Sequence, residues 1–301
     1  MKILILGAGG TGGYFGMRWI KAGGDVTFLV RPGRQAQLQR DGLIVETPQE
    51  RLTQAVTTMT AETLDGDFDL VVLSPKAYDL ESAIEAVKKV KGSPIILPLL
   101  NGLDHINRLD AAFGADRVMG GTVHIGATLT PEGIVKQLTP LHRLFIGIRA
   151  ESQQNVPIAL QALSEKCPYE FYVSDNILQT LWDKWTFLAT LAATTTLLQA
   201  SVGEILATPW GEEIMRETYA SCCEVASASG FPIQEPVRQQ ALGVLLEQGS
   251  AFTSSMLRDL RANLRTEHEH ILGAMVRRAE SLGKACHTVK AAYTALVVTR
   301  K

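Results

Sequence analysis

The first thirty residues constrain the fold more than any other stretch of the chain. An apolar run at residues 3–6 has the length of a buried parallel strand, and a glycine-rich segment at residues 7–12 follows it directly. Apolar residues then recur at helical spacing as far as Gly23, and a second apolar run covers residues 26–30. This order predicts a strand–helix–strand unit at the start of a parallel sheet.

The glycine-rich segment has the spacing G-x-G-x-x-G, formed by Gly7, Gly9 and Gly12. Between a strand and a helix, the first glycine permits a tight turn and the second lets the backbone approach a pyrophosphate. The third lets the helix pack closely on the strand. Backbone amides at the start of the helix, together with its dipole, can hold the phosphates. The motif predicts dinucleotide binding, and a purely structural glycine turn is the alternative.

The end of the second strand indicates which dinucleotide binds. NAD-preferring sites usually place an Asp or Glu there to bind the ribose 2′-hydroxyl. Here the strand ends at Arg31, and Arg34 follows three residues later. A guanidinium can bind a 2′-phosphate through forked, charge-assisted hydrogen bonds. The pattern favours NADP(H), the alternative being that both arginines are solvated loop charges.

Length, charge and cysteine usage exclude several classes of protein. A chain of 301 residues is long enough for two domains, and a net charge of −2 gives no electrostatic reason to bind nucleic acid or a membrane surface. The first strand is predicted to begin at residue 2 and its apolar run is short, so no secretory signal is expected. The longest low-charge stretch, residues 185–200, is too short to span a membrane. Four cysteines without metal-ligand spacing predict reduced thiols, no metal site and a cytoplasmic protein.

Strands alternate with helices up to about residue 172, which predicts a Rossmann-type, doubly wound α/β domain over residues 1–172. Lys76 and Asn101 each follow a predicted strand of this sheet. Ligands of such sheets bind beyond the carboxyl ends of the strands, so both residues are candidates for the site. Additional antiparallel strands are predicted at residues 118–125, 134–138 and 143–148, the last two separated by a turn at Thr139-Pro140.

From about Ser174 the apolar spacing becomes helical and remains so, which predicts an all-α domain over residues 173–301. Serine, threonine and glutamate residues at capping-box spacing mark the starts of several helices. The predicted caps are Ser201 with Glu204, Thr266 with Glu269, and either Thr253 or Ser254.

Lys184 lies early in the longest predicted helix, between Trp182 and Trp185. Aromatic neighbours exclude water from an ammonium group, and the pKa of the lysine should fall toward a range that suits proton donation. Glu267 lies in the first turn of a later predicted helix, where it is either a functional carboxylate or a charge that stabilises the helix dipole. Ser255 has the same ambiguity between ligand contact and helix cap.

Taken together, these features resemble the ketopantoate reductase family (2-dehydropantoate 2-reductases) over essentially the whole chain. The matching pieces, in chain order, are Gly7-x-Gly9-x-x-Gly12, Arg31, Lys76-Ala77, Asn101-Gly102, Gly121-Thr122-x-His124, Trp182-x-Lys184, Ser255-Met256-Leu257-x-Asp259 and Thr266-Glu267. The resemblance implies NADP(H)-dependent reduction of a 2-oxo acid in a cleft between the two domains. A homodimer is a candidate assembly.

The resemblance also implies a role for each site residue. Lys184 would donate a proton to the substrate carbonyl oxygen, and Glu267 would hydrogen-bond the reacting oxygen or orient the lysine. Asn101, Lys76 and Ser255 would contact the substrate. The positions that would bind the cofactor are Gly7, Gly9, Gly10, Thr11, Gly12, Arg31, Lys76 and Asn101.

The chain departs from the family pattern where the substrate would bind. The helix that carries the family's lysine usually presents asparagines four and eight residues later, on the same face. Here those substrate-site positions are Leu188 and Ala192, and Leu272-Gly273 stands in place of the Asn-Gly that usually follows the glutamate. Without these amides, the oxygens of a small polar acid would be desolvated and unpaired. Two alternatives follow: a reductase of the same fold for a more apolar ketone or oxo acid, or a low-turnover NADP(H)-binding sensor.

Overall fold

The computed structural model describes residues 1–299, which divide into two units. The N-terminal unit comprises Met1–Leu100 and His105–Ile177, and the C-terminal unit comprises Asn101–Asp104 and the described residues from Leu178 onward. The strands are β1 (Lys2–Leu6), β2 (Asp25–Leu29), β3 (Leu43–Glu46), β4 (Arg51–Gln54), β5 (Thr57–Met59), β6 (Leu70–Leu73), β7 (Ile95–Pro98), β8 (Gly120–Leu129), β9 (Ile134–Gly147) and β10 (Glu170–Val173). The helices are α1 (Gly10–Lys21), α2 (Pro32–Asp41), α3 (Leu80–Val87), α4 (Asp104–Phe113), α5 (Asn155–Ser164), α6 (Ile177–Leu198), α7 (Val202–Leu206), α8 (Gly211–Ala228), α9 (Glu235–Leu245), α10 (Ser255–Arg261), α11 (Ala274–Ser281) and α12 (His287–Thr299).

A five-stranded parallel sheet, in the order β5-β2-β1-β6-β7, forms the centre of the N-terminal unit. Strand β1 lies in the middle, and Ile3, Leu4 and Ile5 are fully buried because helices or further strands cover both faces of the sheet. The order is that of a doubly wound dinucleotide-binding sheet. The predicted fold class of this part of the chain is confirmed.

A second sheet, in the order β10-β9-β3-β4, is mixed in direction. Strand β9 pairs antiparallel with β8 but parallel with β3 and β10, so the prediction of antiparallel strands was only partly right. The predicted turn at Thr139-Pro140 was wrong, because β9 is one continuous strand. Residues 138–141 of β9 bulge out opposite Gly126 of β8, and the bulge accommodates a proline that has no N–H for a regular ladder.

Sequence reasoning missed two helices of the N-terminal unit, α4 and α5, and two short strands, β5 and β10. Helix α4 buries only His105, Ile106 and Leu109, and such a short apolar pattern does not stand out from loop sequence. The packing partners of these elements lie far away in the sequence, and the sheet supplies them only once the chain has folded.

The C-terminal unit is helical, as predicted, and α6 is its longest helix. Threonines buried along α6 donate their hydroxyls to carbonyl oxygens four residues earlier, which satisfies polar groups that burial would otherwise leave unpaired. These donors are Thr190, Thr194, Thr195 and Thr196. Within residues 1–299, no helix combines the length and the apolar character that crossing a membrane requires.

Two of the predicted caps form. The Ser201 amide donates to Glu204 Oε2 at 2.7 Å, and the Glu204 amide donates to Ser201 Oγ at 3.4 Å, which makes the expected capping box of α7. Of the two candidates for the cap of α10, Ser254 is the one used, since the Leu257 amide donates to its Oγ at 3.0 Å.

The predicted capping box of Thr266 and Glu269 was wrong. The Glu269 carboxylate accepts hydrogen bonds from the Tyr293 hydroxyl, at 2.7 Å, and from Arg277, so it does not return to the backbone. Thr266 Oγ1 instead pairs with His268 Nδ1 at 2.8 Å. The helix begins with a π-helical segment, Glu269–Gly273, before α11 continues as a regular helix.

Candidate active site

The glycine-rich turn connects β1 to α1 in the geometry that its spacing predicts. Gly7 has a φ of +102°, which an L-residue with a side chain rarely adopts. An ideal Cβ on Gly12 would overlap the Gly7 carbonyl oxygen and Ser74 Oγ. Ser74 Oγ also donates to the Leu6 carbonyl, at 3.0 Å, and fixes the turn from the neighbouring strand. The amides at the start of α1 are therefore held at the carboxyl end of the sheet, where a pyrophosphate would bind.

Gly10 and Thr11 form the first turn of α1 beside strand β8. A Cβ on Gly10 would lie 2.9 Å from the Ala127 carbonyl oxygen, so this position also requires the smallest residue. The constraint arises from β8, more than a hundred residues later in the chain. Backbone that approaches this closely leaves the helix N-terminus no freedom to shift.

Sequence analysis left two roles open for Arg34, a ligand of the 2′-phosphate or a solvated loop charge, and the structure supports neither. Its guanidinium is partly buried and donates to the Ala8 carbonyl at 3.0 Å and to the Gly133 carbonyl at 2.9 Å. Burial lowers the pKa of Arg34 from its usual value. The side chain therefore fastens the glycine turn to the hairpin between β8 and β9, and it is neither a solvated charge nor an open phosphate ligand.

Arg31 presents its charge to solvent at the end of β2. Its side chain is 79% exposed, and Nη2 lies 3.1 Å from Asp79 Oδ2. Asp79 belongs to a short 3₁₀ turn, Ala77–Asp79, that follows β6, and the partly buried Lys76 immediately precedes this turn. The glycine turn, Arg31 and Lys76 thus all belong to the N-terminal unit.

Asn101, by contrast, belongs to the C-terminal unit together with Lys184. Lys184 Nζ donates to Asn101 Oδ1 at 3.0 Å, across 83 residues of sequence. Gly102 makes this approach possible, since its φ is +84° and a Cβ there would lie 2.9 Å from the His270 carbonyl oxygen. The Asn101-Gly102 pair therefore packs directly against the π-helical segment, which contains His270.

Lys184 lies on α6 in partly desolvated surroundings. Burial lowers its pKa to about 8, and the negative charge of Glu267 partly opposes that effect. The flanking Trp182 and Trp185 are 1% exposed, with ring centroids 4.9 Å apart. Trp185 Nε1 donates to the Ile271 carbonyl at 3.1 Å, which holds α6 against the π-helical segment. A lysine in this environment can exchange a proton near neutral pH.

Glu267 is 5% exposed and lies just before the π-helical segment. Its carbonyl oxygen accepts from the amides of His270 and Ile271, both at 3.1 Å, so its backbone starts the helix. Sequence reasoning placed Glu267 in the first turn of this helix, whereas the structure places it just before that turn. A carboxylate is costly to bury without partners, which makes a purely surface role for this side chain untenable. π-helical turns are frequent at functional sites, and this one fixes the residues that follow Glu267.

The residues predicted to contact substrate differ in accessibility. Ser255 is exposed at the first position of α10, beside the capping Ser254. Leu188 is partly exposed one helical turn after Lys184, whereas Ala192 is 3% exposed and packs in the core of the helical unit. Leu272 is fully buried in the same core. Of the positions that depart from the family pattern, Leu188 is thus the one that offers surface to a ligand.

Comparison with known proteins shows which family this chain belongs to. A family model described as "Ketopantoate reductase PanE/ApbA" matches residues 3–151, and its C-terminal counterpart matches residues 176–298. The chain belongs to the ketopantoate reductase family. It is therefore an oxidoreductase of that family, and the resemblance predicted from its motifs is confirmed.

Relatives extend over nearly the whole chain. A protein of Bacillus subtilis described as "Uncharacterized oxidoreductase YkpB" is 33% identical over 98% of both chains. A 2-dehydropantoate 2-reductase of Halobacterium salinarum is 30% identical over 93% of this chain and 92% of its own.

Solved structures agree with the fold. The ketopantoate reductase of Ralstonia eutropha JMP134 has a TM-score of 0.88 at 24% identity and covers 99% of this chain and 98% of its own. D-mandelate dehydrogenase, solved with NADH and anilino(oxo)acetate, has the same TM-score and coverage at 21% identity.

Three features of this ketopantoate reductase family member were not foreseen. They are the π-helical segment, the bond from Trp185 to Ile271, and the ion pair between Arg31 and Asp79. An Asp two residues after Lys76-Ala77 was visible in the sequence, but nothing there indicated that it would meet Arg31. The other two depend on α6 packing against a distant segment, which no local pattern encodes.

Proposed function

We propose that this protein reduces a 2-oxo acid to the corresponding 2-hydroxy acid with NADPH, and that Lys184 is the proton donor. The observation that carries the proposal is the position of Lys184. Its ammonium lies 3.0 Å from the Asn101 amide oxygen, close to Glu267, and burial lowers its pKa to about 8. An ammonium at this pKa can both stabilise a developing oxyanion and release a proton to it.

In the proposed reaction, Lys184, Asn101 and Glu267 each have a separate role. When bound, the reduced nicotinamide supplies a hydride to the carbonyl carbon of the substrate. Lys184 Nζ gives a proton to the carbonyl oxygen, which becomes the hydroxyl, and the lysine is left neutral. Asn101 holds the ammonium in place through its amide oxygen, and its amide NH₂ is then available to donate to substrate or cofactor. The charge of Glu267 favours the protonated form of Lys184 and so promotes its reprotonation.

The glycine turn and Arg31 support a dinucleotide cofactor with a 2′-phosphate. The turn has no room for side chains at Gly10 and Gly12, which fits close approach of a pyrophosphate to the backbone. Arg31 is the exposed guanidinium at the end of β2, whereas Arg34 is engaged by backbone carbonyls. D-mandelate dehydrogenase, which has a similar fold, was solved with NADH, and this supports a nicotinamide cofactor for the present protein.

We infer that the substrate carries a larger apolar group than ketopantoate does. Leu188 occupies the accessible position one turn after Lys184 where the family usually has an asparagine, and it offers no hydrogen bond. A pocket without that amide loses affinity for a hydroxyl-bearing chain and gains it for an apolar one. The ligand of the similar D-mandelate dehydrogenase structure, anilino(oxo)acetate, is an oxo acid with an aromatic group.

Oxidation of NADPH in the presence of a panel of 2-oxo acids tests the proposal. The panel should contain ketopantoate together with straight-chain, branched and aromatic analogues, with kcat/KM measured for each. Turnover with an apolar analogue above that with ketopantoate is the expected result. Tight NADPH binding without turnover on any member would instead support the sensor that the sequence left open. A cytoplasmic location and a homodimer stay predictions.

A further inference from the structure

Two charged side chains meet beside the glycine turn, although they come from different loops. In the sheet order β5-β2-β1-β6-β7, β2 and β6 are the two neighbours of β1. The segments that follow β2 and β6 therefore leave the sheet on either side of the turn that follows β1. Arg31 ends the first of these segments and Asp79 lies in the second, and their side chains approach to 3.1 Å.

This ion pair is open to solvent. The Arg31 side chain is 79% exposed and the Asp79 side chain is 32% exposed. Exposed ion pairs contribute little to folding, so stability does not explain why the two charges are placed together. In a doubly wound fold the adenosine ribose lies at this end of the sheet, between the glycine turn and the end of the second strand.

We propose that Asp79 is a specificity-determining residue, which lowers the preference of the protein for NADP(H) over NAD(H). The inference rests on the proposed function, in which Arg31 binds the cofactor's 2′-phosphate. Asp79 competes for the same guanidinium, and its carboxylate repels a phosphate that carries a charge of about −1.5 to −2. The two effects act in the same direction and weaken binding of NADP(H).

The same carboxylate favours NAD(H). In NAD-preferring sites, an acidic residue at the end of the second strand accepts a hydrogen bond from the ribose 2′-hydroxyl. Strand β2 ends in Arg31 and has no such residue, but Asp79 brings a carboxylate to the same place from the loop after β6. The protein thus holds a phosphate ligand and a hydroxyl acceptor side by side, so it can use either cofactor.

Calorimetric titration of NADPH and NADH into wild type and Asp79→Asn tests the proposal. Asparagine keeps the shape and an acceptor oxygen but removes the charge that pairs with Arg31 and repels phosphate. We expect the ratio of the dissociation constants, NADH over NADPH, to rise about five- to tenfold. The matched control is Glu81→Gln, which removes a carboxylate two residues away that pairs with Arg108 at 2.9 Å and is 66% exposed.

The outcomes separate the role of Asp79 from the proposed function. A ratio that stays within twofold of wild type, or an equal rise in Glu81→Gln, overturns the role of Asp79 and leaves the proposed function standing. Binding of neither cofactor to wild type overturns both. In an Arg31→Ala background, Asp79→Asn should raise NADPH affinity less than it does in wild type. An undiminished rise there would contradict competition for the guanidinium.

Discussion

The two units of this protein carry their functional residues in different ways. In the N-terminal unit, six consecutive residues, 7–12, form the turn on which the proposed cofactor site depends, and its requirements are steric. In the C-terminal unit, the proposed proton donor Lys184 and its partner Asn101 are 83 residues apart, and their requirements are electrostatic. Substitutions in the first unit should therefore change cofactor affinity, and substitutions in the second should change turnover.

The largest effect is expected for Lys184→Ala. Loss of a general acid lowers turnover by a factor on the order of 10²–10⁴, while NADPH affinity should be unchanged because the glycine turn and Arg31 are intact. Steady-state kinetics and calorimetry on the same preparation measure the two quantities. Lys290→Ala removes an exposed lysine of the same unit and serves as the control. A folded Lys184→Ala protein with wild-type kcat would remove the proton donor from the proposal.

The converse effect is expected for Arg31→Ala. NADPH affinity should fall by about 1–3 kcal/mol, roughly 5- to 150-fold, because a charge-assisted hydrogen bond to the 2′-phosphate is lost. At saturating NADPH, kcat should stay close to that of wild type. Arg40→Ala, which removes an exposed arginine within α2, provides a control for the change in charge. Unchanged NADPH affinity would mean that Arg31 is only a solvated loop charge.

The pH dependence of the reduction rate tests the electrostatic requirement of the C-terminal unit. Burial lowers the pKa of Lys184 to about 8, so the ammonium is the main form below that pH and the neutral amine is the main form above it. Reduction should therefore slow as the pH rises through about 8, by up to tenfold for each further pH unit. Lys184→Ala should lack this basic limb. A wild-type rate that is flat between pH 7 and 10 would show that another group donates the proton.

Leu188→Asn tests the substrate preference, with the smallest expected effect. Restoring an amide one turn after Lys184 should raise kcat/KM for ketopantoate about tenfold relative to the best apolar oxo acid, since an unpaired substrate hydroxyl gains a partner. NADPH affinity should not change. Leu198→Asn places the same residue at an exposed position near the end of α6 and should have no effect on the ratio. An unaltered ratio in Leu188→Asn would show that Leu188 does not face the substrate.

Much of the fold was predictable because its signals are local. The strand, glycine turn and helix at the N-terminus occupy one short segment, and the capping box of Ser201 and Glu204 needs only four residues. The capping box of Thr266 and Glu269 looked equally good, yet Tyr293 and Arg277 take the Glu269 carboxylate instead. A local pattern predicts structure only where no distant side chain competes for the same atoms.

By itself the sequence determined the dinucleotide-binding turn, the change from an α/β to a helical class, and the family. Each of these depends on the order and spacing of residues along the chain. Only the tertiary structure decided that Asn101 holds Lys184, that Arg34 is engaged by carbonyl oxygens, and that Asp79 reaches Arg31. The pKa of a lysine and the availability of an arginine depend on solvent exclusion and on charges within a few ångströms, and the neighbours that set both come from distant parts of the chain.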